Sequence, residues 1–136
     1  MAEKDRNEFV VDASFMLACL IPDEMVDSVK EVFANFKAGN YIFRSSMLFP
    51  FEVLNGIKLA LTRKRISDAV ANQLASYFII FLEGIKLETL DLEKCWKLAQ
   101  DEKMTIYDAS YLALAKTNNL PLFSLDKHLQ KFATSF

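Results

Sequence analysis

Asp12, Glu52, Asp108 and Asp126 are the residues of this chain whose type and setting could do chemistry together. Each lies where an apolar run ends or on the polar stripe of an otherwise apolar helical segment. Carboxylate oxygens gathered from four parts of a chain suit a hard divalent cation, Mg²⁺ or Mn²⁺. An Asp at a helix start also has a simpler use. It accepts hydrogen bonds from the first backbone N–H groups and is favoured by the helix dipole, which accounts for Asp12, Asp108 and Asp126 taken one at a time. Glu52 resists that explanation. It sits in Leu48-Phe49-Pro50-Phe51-Glu52-Val53-Leu54, where a charge among large apolar side chains is costly unless it is paired, exposed or bound to a cation.

The elements that must position these acids alternate. Phe9-Val10-Val11 reads as a short apolar strand, and Asp12-Ala13-Ser14 turns it into the helical run Phe15 to Leu20. Pro22 suits the first turn of a second helix, with Met25, Val26, Val29, Val32, Phe33 and Phe36 at helical spacing up to Gly39. Tyr41-Ile42-Phe43 reads as a strand, and the next helix is expected from about Ser46, with Glu52 and Asn55 on one face. A long helix from Ser67 to Leu82 stops at Gly84, a strand follows at Ile85-Lys86-Leu87, and a helix runs from Leu92 to Lys103. Ile106-Tyr107-Asp108 opens a helix through Ala115, Leu120 to Phe123 reads as a buried strand, and Asp126 is expected to start a last short helix.

Short apolar strands separated by helices imply the α/β class, a parallel β-sheet sandwiched by helices in three layers. In such sheets ligand sites lie beyond the carboxyl ends of the strands. Asp12 immediately follows the first strand and Asp126 stands just after the last, Asp108 opens its helix, and Glu52 lies one turn into the helix after the second strand, so all four can converge at that edge.

With 136 residues, 52% hydrophobic and 25% charged, the chain reads as one folded domain over 1–136. The charged opening, Met1 to Asn7, lacks the apolar middle of a signal peptide, and no apolar run reaches the roughly 20 residues that span a bilayer. A cytoplasmic protein without membrane attachment is expected. A net charge of -2 argues against coating nucleic acid by bulk electrostatics. The basic run Arg63-Lys64-Arg65 reads as the solvated end of a helix. Cys19 and Cys95 lack metal-type spacing and read as small buried apolar residues.

At this point the chain resembles the PIN-domain ribonucleases, and within them the VapC-type toxins of toxin-antitoxin pairs. Val10-Val11-Asp12-Ala13-Ser14 is similar to the family's first acid block, and Pro50-Phe51-Glu52-Val53-Leu54-Asn55 to its second. Ile106-Tyr107-Asp108-Ala109-Ser110-Tyr111-Leu112-Ala113-Leu114-Ala115 is similar to its Tyr-Asp-Ala helix opening, the most specific block, and Ser124-Leu125-Asp126 to its fourth. The resemblance covers nearly the whole chain, in the right order. It departs in Pro121 and in Ser124, where Thr is more often seen.

The resemblance implies a PIN-like three-layer fold and a metal-dependent endoribonuclease. Asp12, Glu52 and Asp108 would be primary ligands of Mg²⁺ or Mn²⁺, and Asp126 would hold a second ion or a metal-bound water. Ser14 and Ser124 would support the ligands, and Asn55 would orient Glu52 or touch the substrate. Carboxylates held close together repel, so at least one pKa should rise. One or two ions, about 3.5 to 4 Å apart if two, relieve that repulsion and can activate water against an RNA phosphodiester. The resemblance further implies a homodimer and inhibition by an antitoxin whose apolar helix enters a groove near Glu52 and the helix around Phe36. The large apolar residues Val70, Leu74, Tyr77, Phe78, Phe81 and Leu82 on one helix agree with a second subunit.

His128 invites a role as general base, but it falls in Lys127-His128-Leu129-Gln130-Lys131, read as an exposed helix face, and metal-dependent hydrolysis needs no such base. Tyr107 and Tyr111 could stack on an RNA base, although the flanking Ile106 and Leu112 favour burial. A phosphotransfer receiver domain or a haloacid dehalogenase-like phosphatase needs a further acid beside its first, where this chain has Ala13 and Ser14. The remaining alternative is a catalytically inactive PIN-like module that binds RNA or protein, and the presence of all four acids argues against it.

Overall fold

In a computed structural model, residues 7–134 of the chain are described. β1 (Asn7–Val11) leads into α1 (Ala13–Leu20), and Val10 and Val11 are fully buried. Pro22 opens a separate 3₁₀ turn, Pro22–Glu24, and α2 starts afresh at Asp27–Lys37. The extended backbone at Met25 and Val26 separates the two, so the expected single helix is broken. β2 spans Tyr41–Ser46, α3 Phe49–Thr62, α4 Asp68–Phe81 and β3 Lys86–Glu88. α5 (Leu92–Glu102) and α6 (Ile106–Asn118) precede β4, Leu122–Phe123. Lys103 and Asn119 end α5 and α6 in the left-handed conformation, a C-cap position that Asn tolerates better than most residues.

The four strands form one parallel sheet in the order β3-β2-β1-β4. Neighbouring residues of β2 show the layering, since successive strand side chains point to opposite faces. Phe43 packs against Phe15 of α1 and Phe36 of α2. Arg44 reaches Asn118 of α6 on the other side. Helices therefore cover both faces, as the alternating pattern implies. α1 and α3 approach so closely that a Cβ on Gly56 would lie 2.3 Å from the Leu17 side chain.

β2 runs to Ser46 rather than giving way to a helix there. Arg44 carries the strand beyond its apolar opening by pairing with Glu8 and Glu88. Ser45 donates to the Val11 carbonyl at 2.6 Å, and Ser46 meets Ser110, so both buried hydroxyls are satisfied. Asp126 likewise starts no helix; a turn precedes the 3₁₀ segment Gln130–Phe132. Cys19 and Cys95 are free and buried. Among the described residues no helix is long and apolar enough to cross a membrane.

Candidate active site

Asp12 follows β1 directly and caps α1. Its Oδ1 accepts the Phe15 amide at 2.9 Å and the Ser14 hydroxyl at 2.7 Å, while Oδ2 accepts the Ser124 hydroxyl. The helix-cap use and the gathered-acid use therefore coincide in one carboxylate. Each serine gives its proton to Asp12 and accepts from the backbone beyond β4: the Leu125 amide donates to Ser14 at 2.9 Å and the Asp126 amide to Ser124 at 3.1 Å. These bonds tie the end of β1 to the end of β4. Asp12 is only 2% exposed, and burial pushes its carboxyl up to about 6 against the three hydrogen bonds, with Asp126 adding to the rise.

The other acids reach the same edge from different elements. Glu52 lies in the first turn of α3, half-buried, and accepts from the Tyr111 hydroxyl. Burial raises its pKa, and the charges of Asp108 and Asp126 add to that. Asp108 is the third residue of α6; the cap there is Thr105, whose hydroxyl accepts the Asp108 amide at 3.1 Å. The cap use accordingly does not explain Asp108. Its carboxyl is also raised, first by burial and then by Asp126, with His128 opposing. Asp126 accepts the His128 amide at 2.8 Å in its turn. Asp126 acts on all three other acids and Asp108 on Glu52, so the four carboxylates share one field. Among the described residues, no Lys or Arg forms an ion pair with any of them.

The family model "PIN domain" matches residues 9–134, a span that holds all four acids. The chain belongs to the PIN-domain family. It is 26% identical over 128 residues to a protein of Pyrobaculum aerophilum named ribonuclease VapC3, covering 92% of this chain and 95% of that one. The crystal structure of PAE2754 from the same organism superposes with a TM-score of 0.72 at 22% identity, over 94% of this chain and 81% of that one. A toxin-antitoxin complex from Klebsiella pneumoniae gives a TM-score of 0.62 at 17% identity, over 88% of each chain.

The donor set of this PIN domain fits a hard divalent cation in chemistry, four carboxylates with no Lys or Arg paired to them among the described residues. Among the described residues, no three or more His, Cys, Asp or Glu side chains stand close enough together to hold an ion as placed. Asp12 is fixed by three hydrogen bonds and Glu52 by one, while Asp108 and Asp126 lie in less constrained positions at a helix start and a turn.

Tyr111, expected either to stack on a base or to be buried, is buried and also reaches the site through Glu52, a link the sequence does not give. Its burial is legible in the run around Leu112, and it is 2% exposed. The overlooked signal is that a buried phenol needs a polar partner, and one turn of helix separates it from Asp108. Tyr107, by contrast, is exposed rather than core. Asn55 is exposed, and no hydrogen bond joins it to Glu52 among the described residues. The groove expected near both Glu52 and Phe36 is divided. Phe36 lines a depression with Tyr41, Ile42 and Phe81 at the amino end of β2, whereas Glu52 lies beyond its carboxyl end. His128 sits in a turn, not on a helix.

Proposed function

We propose that this chain is a metal-dependent endoribonuclease acting as one unit, the toxin component of a toxin-antitoxin pair. The observation that carries this reading is the set of four carboxylates sharing one field at the carboxyl ends of β1 and β4 and in the first turns of α3 and α6, with no Lys or Arg paired to them among the described residues. The name of the Pyrobaculum relative supports RNA as substrate, and the Klebsiella complex supports an antitoxin partner.

Asp12, Glu52 and Asp108 would hold Mg²⁺ or Mn²⁺, with Asp126 on a second ion or on water. The ion supplies Lewis acidity and a more acidic water for phosphodiester hydrolysis. Ser14 and Ser124 keep Asp12 aimed and deprotonated, since hydrogen bonds to the charged form oppose the effect of burial. Phe51, Tyr107 and Leu125, each next to one of the acids in sequence, are exposed apolar side chains that an antitoxin segment could cover. Of the apolar residues expected to meet a second subunit, Phe78 is buried and Leu74, Phe81 and Leu82 pack against the core, so the exposed apolar face of α4 that suits a second copy is Tyr77 with Ile79 and Ile80.

Calorimetric titration of Mn²⁺ into the protein and into Asp108→Asn, followed by cleavage of RNA with and without Mg²⁺, tests the reading. Binding by the parent, lost in the variant and accompanied by Mg²⁺-dependent cleavage, is the expected result. Absence of binding at millimolar metal overturns it in favour of a binding module.

A further inference from the structure

Glu52 is the acid with the longest side chain in the cluster, and it faces like charges on Asp108 and Asp126. Left alone, that repulsion favours rotamers that swing its carboxylate outward. The hydrogen bond found on it comes from Tyr111, whose ring is locked in the core at 2% exposure. Ser46, at the end of β2, lies near the phenol. Ser46 is in turn met by the Ser110 hydroxyl at 3.1 Å, which also donates to the Tyr107 carbonyl at 2.6 Å. Ser46 and Ser110 are both fully buried. Tyr111 and Asp108 stand three residues apart on α6, on one face of the helix. One helix thus presents one acid and grips another.

We propose that Tyr111 is the positioning residue for Glu52, its hydroxyl fixing the Glu52 carboxylate at a set distance from Asp108 so that both can serve one cation. This rests on the metal-site reading above. The phenol suits the task because its O–H donates to Glu52 from a ring locked in the core. Tyr111→Phe keeps the ring and removes only the donor.

The test is a cycle of Mn²⁺ titrations on the folded protein: parent, Tyr111→Phe, Glu52→Asp and the double variant. Aspartate keeps a carboxylate but is one methylene too short to reach the phenol. Tyr111→Phe is expected to weaken Mn²⁺ binding roughly tenfold to a hundredfold, the usual cost of losing a partner that orients a ligand. In the Glu52→Asp background the same change is expected to have little further effect. A merely structural role would lower the melting temperature and leave the affinity of the folded protein unmoved. Should Tyr111→Phe not fold, Ser46→Ala removes a hydroxyl near the phenol and is expected to weaken binding in the same direction, by less. Parent affinity in Tyr111→Phe, or equal losses in both backgrounds, overturns the positioning role alone. No binding by the parent overturns the metal site and this role with it.

Discussion

Two clusters of charge lie on the same small sheet and are treated in opposite ways. Under α6, Arg44 pairs with Glu8 at 3.0 Å and with Glu88, and also bonds Asn118 at 3.2 Å. That group is a closed ion network, two carboxylates around one guanidinium. At the carboxyl edge, four carboxylates gather with hydroxyl and amide donors but, among the described residues, no Lys or Arg partner. A sheet that recruits an arginine for one group of acids leaves the other without Lys or Arg, as the proposed metal site requires. Uncompensated charge is tolerated where a ligand supplies the missing sign.

The contrast can be broken most sharply at Asp108. Asp108→Asn is expected to reduce Mg²⁺-dependent RNA cleavage by about 100-fold or more, beyond the usual loss for a supporting residue. It should also abolish the rise in melting temperature that metal gives the parent, read by calorimetry with and without a chelator. Without metal the variant should be no less stable, because it removes one of the repelling charges.

The next effect is one of pH. The Asp12 carboxyl moves from an ordinary 3.8 to about 6 in the fold. Because the folded state holds that proton more tightly, the contribution is fully present below pH 3.8 and is lost as pH rises through 6. About 3 kcal/mol is at stake. Urea unfolding of the metal-free protein at pH 4 and pH 7 should show this loss relative to Asp12→Asn, which retains a helix-capping side chain. Parallel pH profiles for the two proteins would contradict the assignment.

Breaking the compensated cluster is expected to do the reverse: harm the fold and spare the chemistry. Arg44→Met leaves Glu88 without a cation and Glu8 with only Lys86 at 3.9 Å, both partly buried, and should cost about 2 kcal/mol in denaturant unfolding, below the figure for a fully buried pair because the site is partly wet. Metal affinity of the folded variant should match the parent. The smallest effect belongs to Arg65, whose partners Asp23 and Glu24 lie at the surface. Arg65→Ala should leave the melting temperature and cleavage nearly unchanged.

Much of this contrast is legible in the sequence. Short β-branched runs ending in an acid mark β1 and the edge where Asp12 emerges, and the spacing of Ile106 to Ala115 marks α6. What stays hidden depends on partners far along the chain. Arg44 looks like the end of a strand until Glu8 and Glu88, 36 and 44 residues away, are seen to neutralise it. Ser46 looks like a helix start until Ser110, 64 residues on, satisfies its hydroxyl inside the core. The two clusters are indistinguishable as strings of charged letters, because compensation is a property of distance in space.

The bond from Ser124 to Asp12 joins residues 112 positions apart. During synthesis, β1 leaves the ribosome long before β4 exists, and the first acid lacks its bond from Ser124. The chain therefore carries most of its ligands through translation without an assembled site. If its chemistry is cutting RNA, the ribosome making it is safe from it until the final strand has docked, a delay set by topology alone.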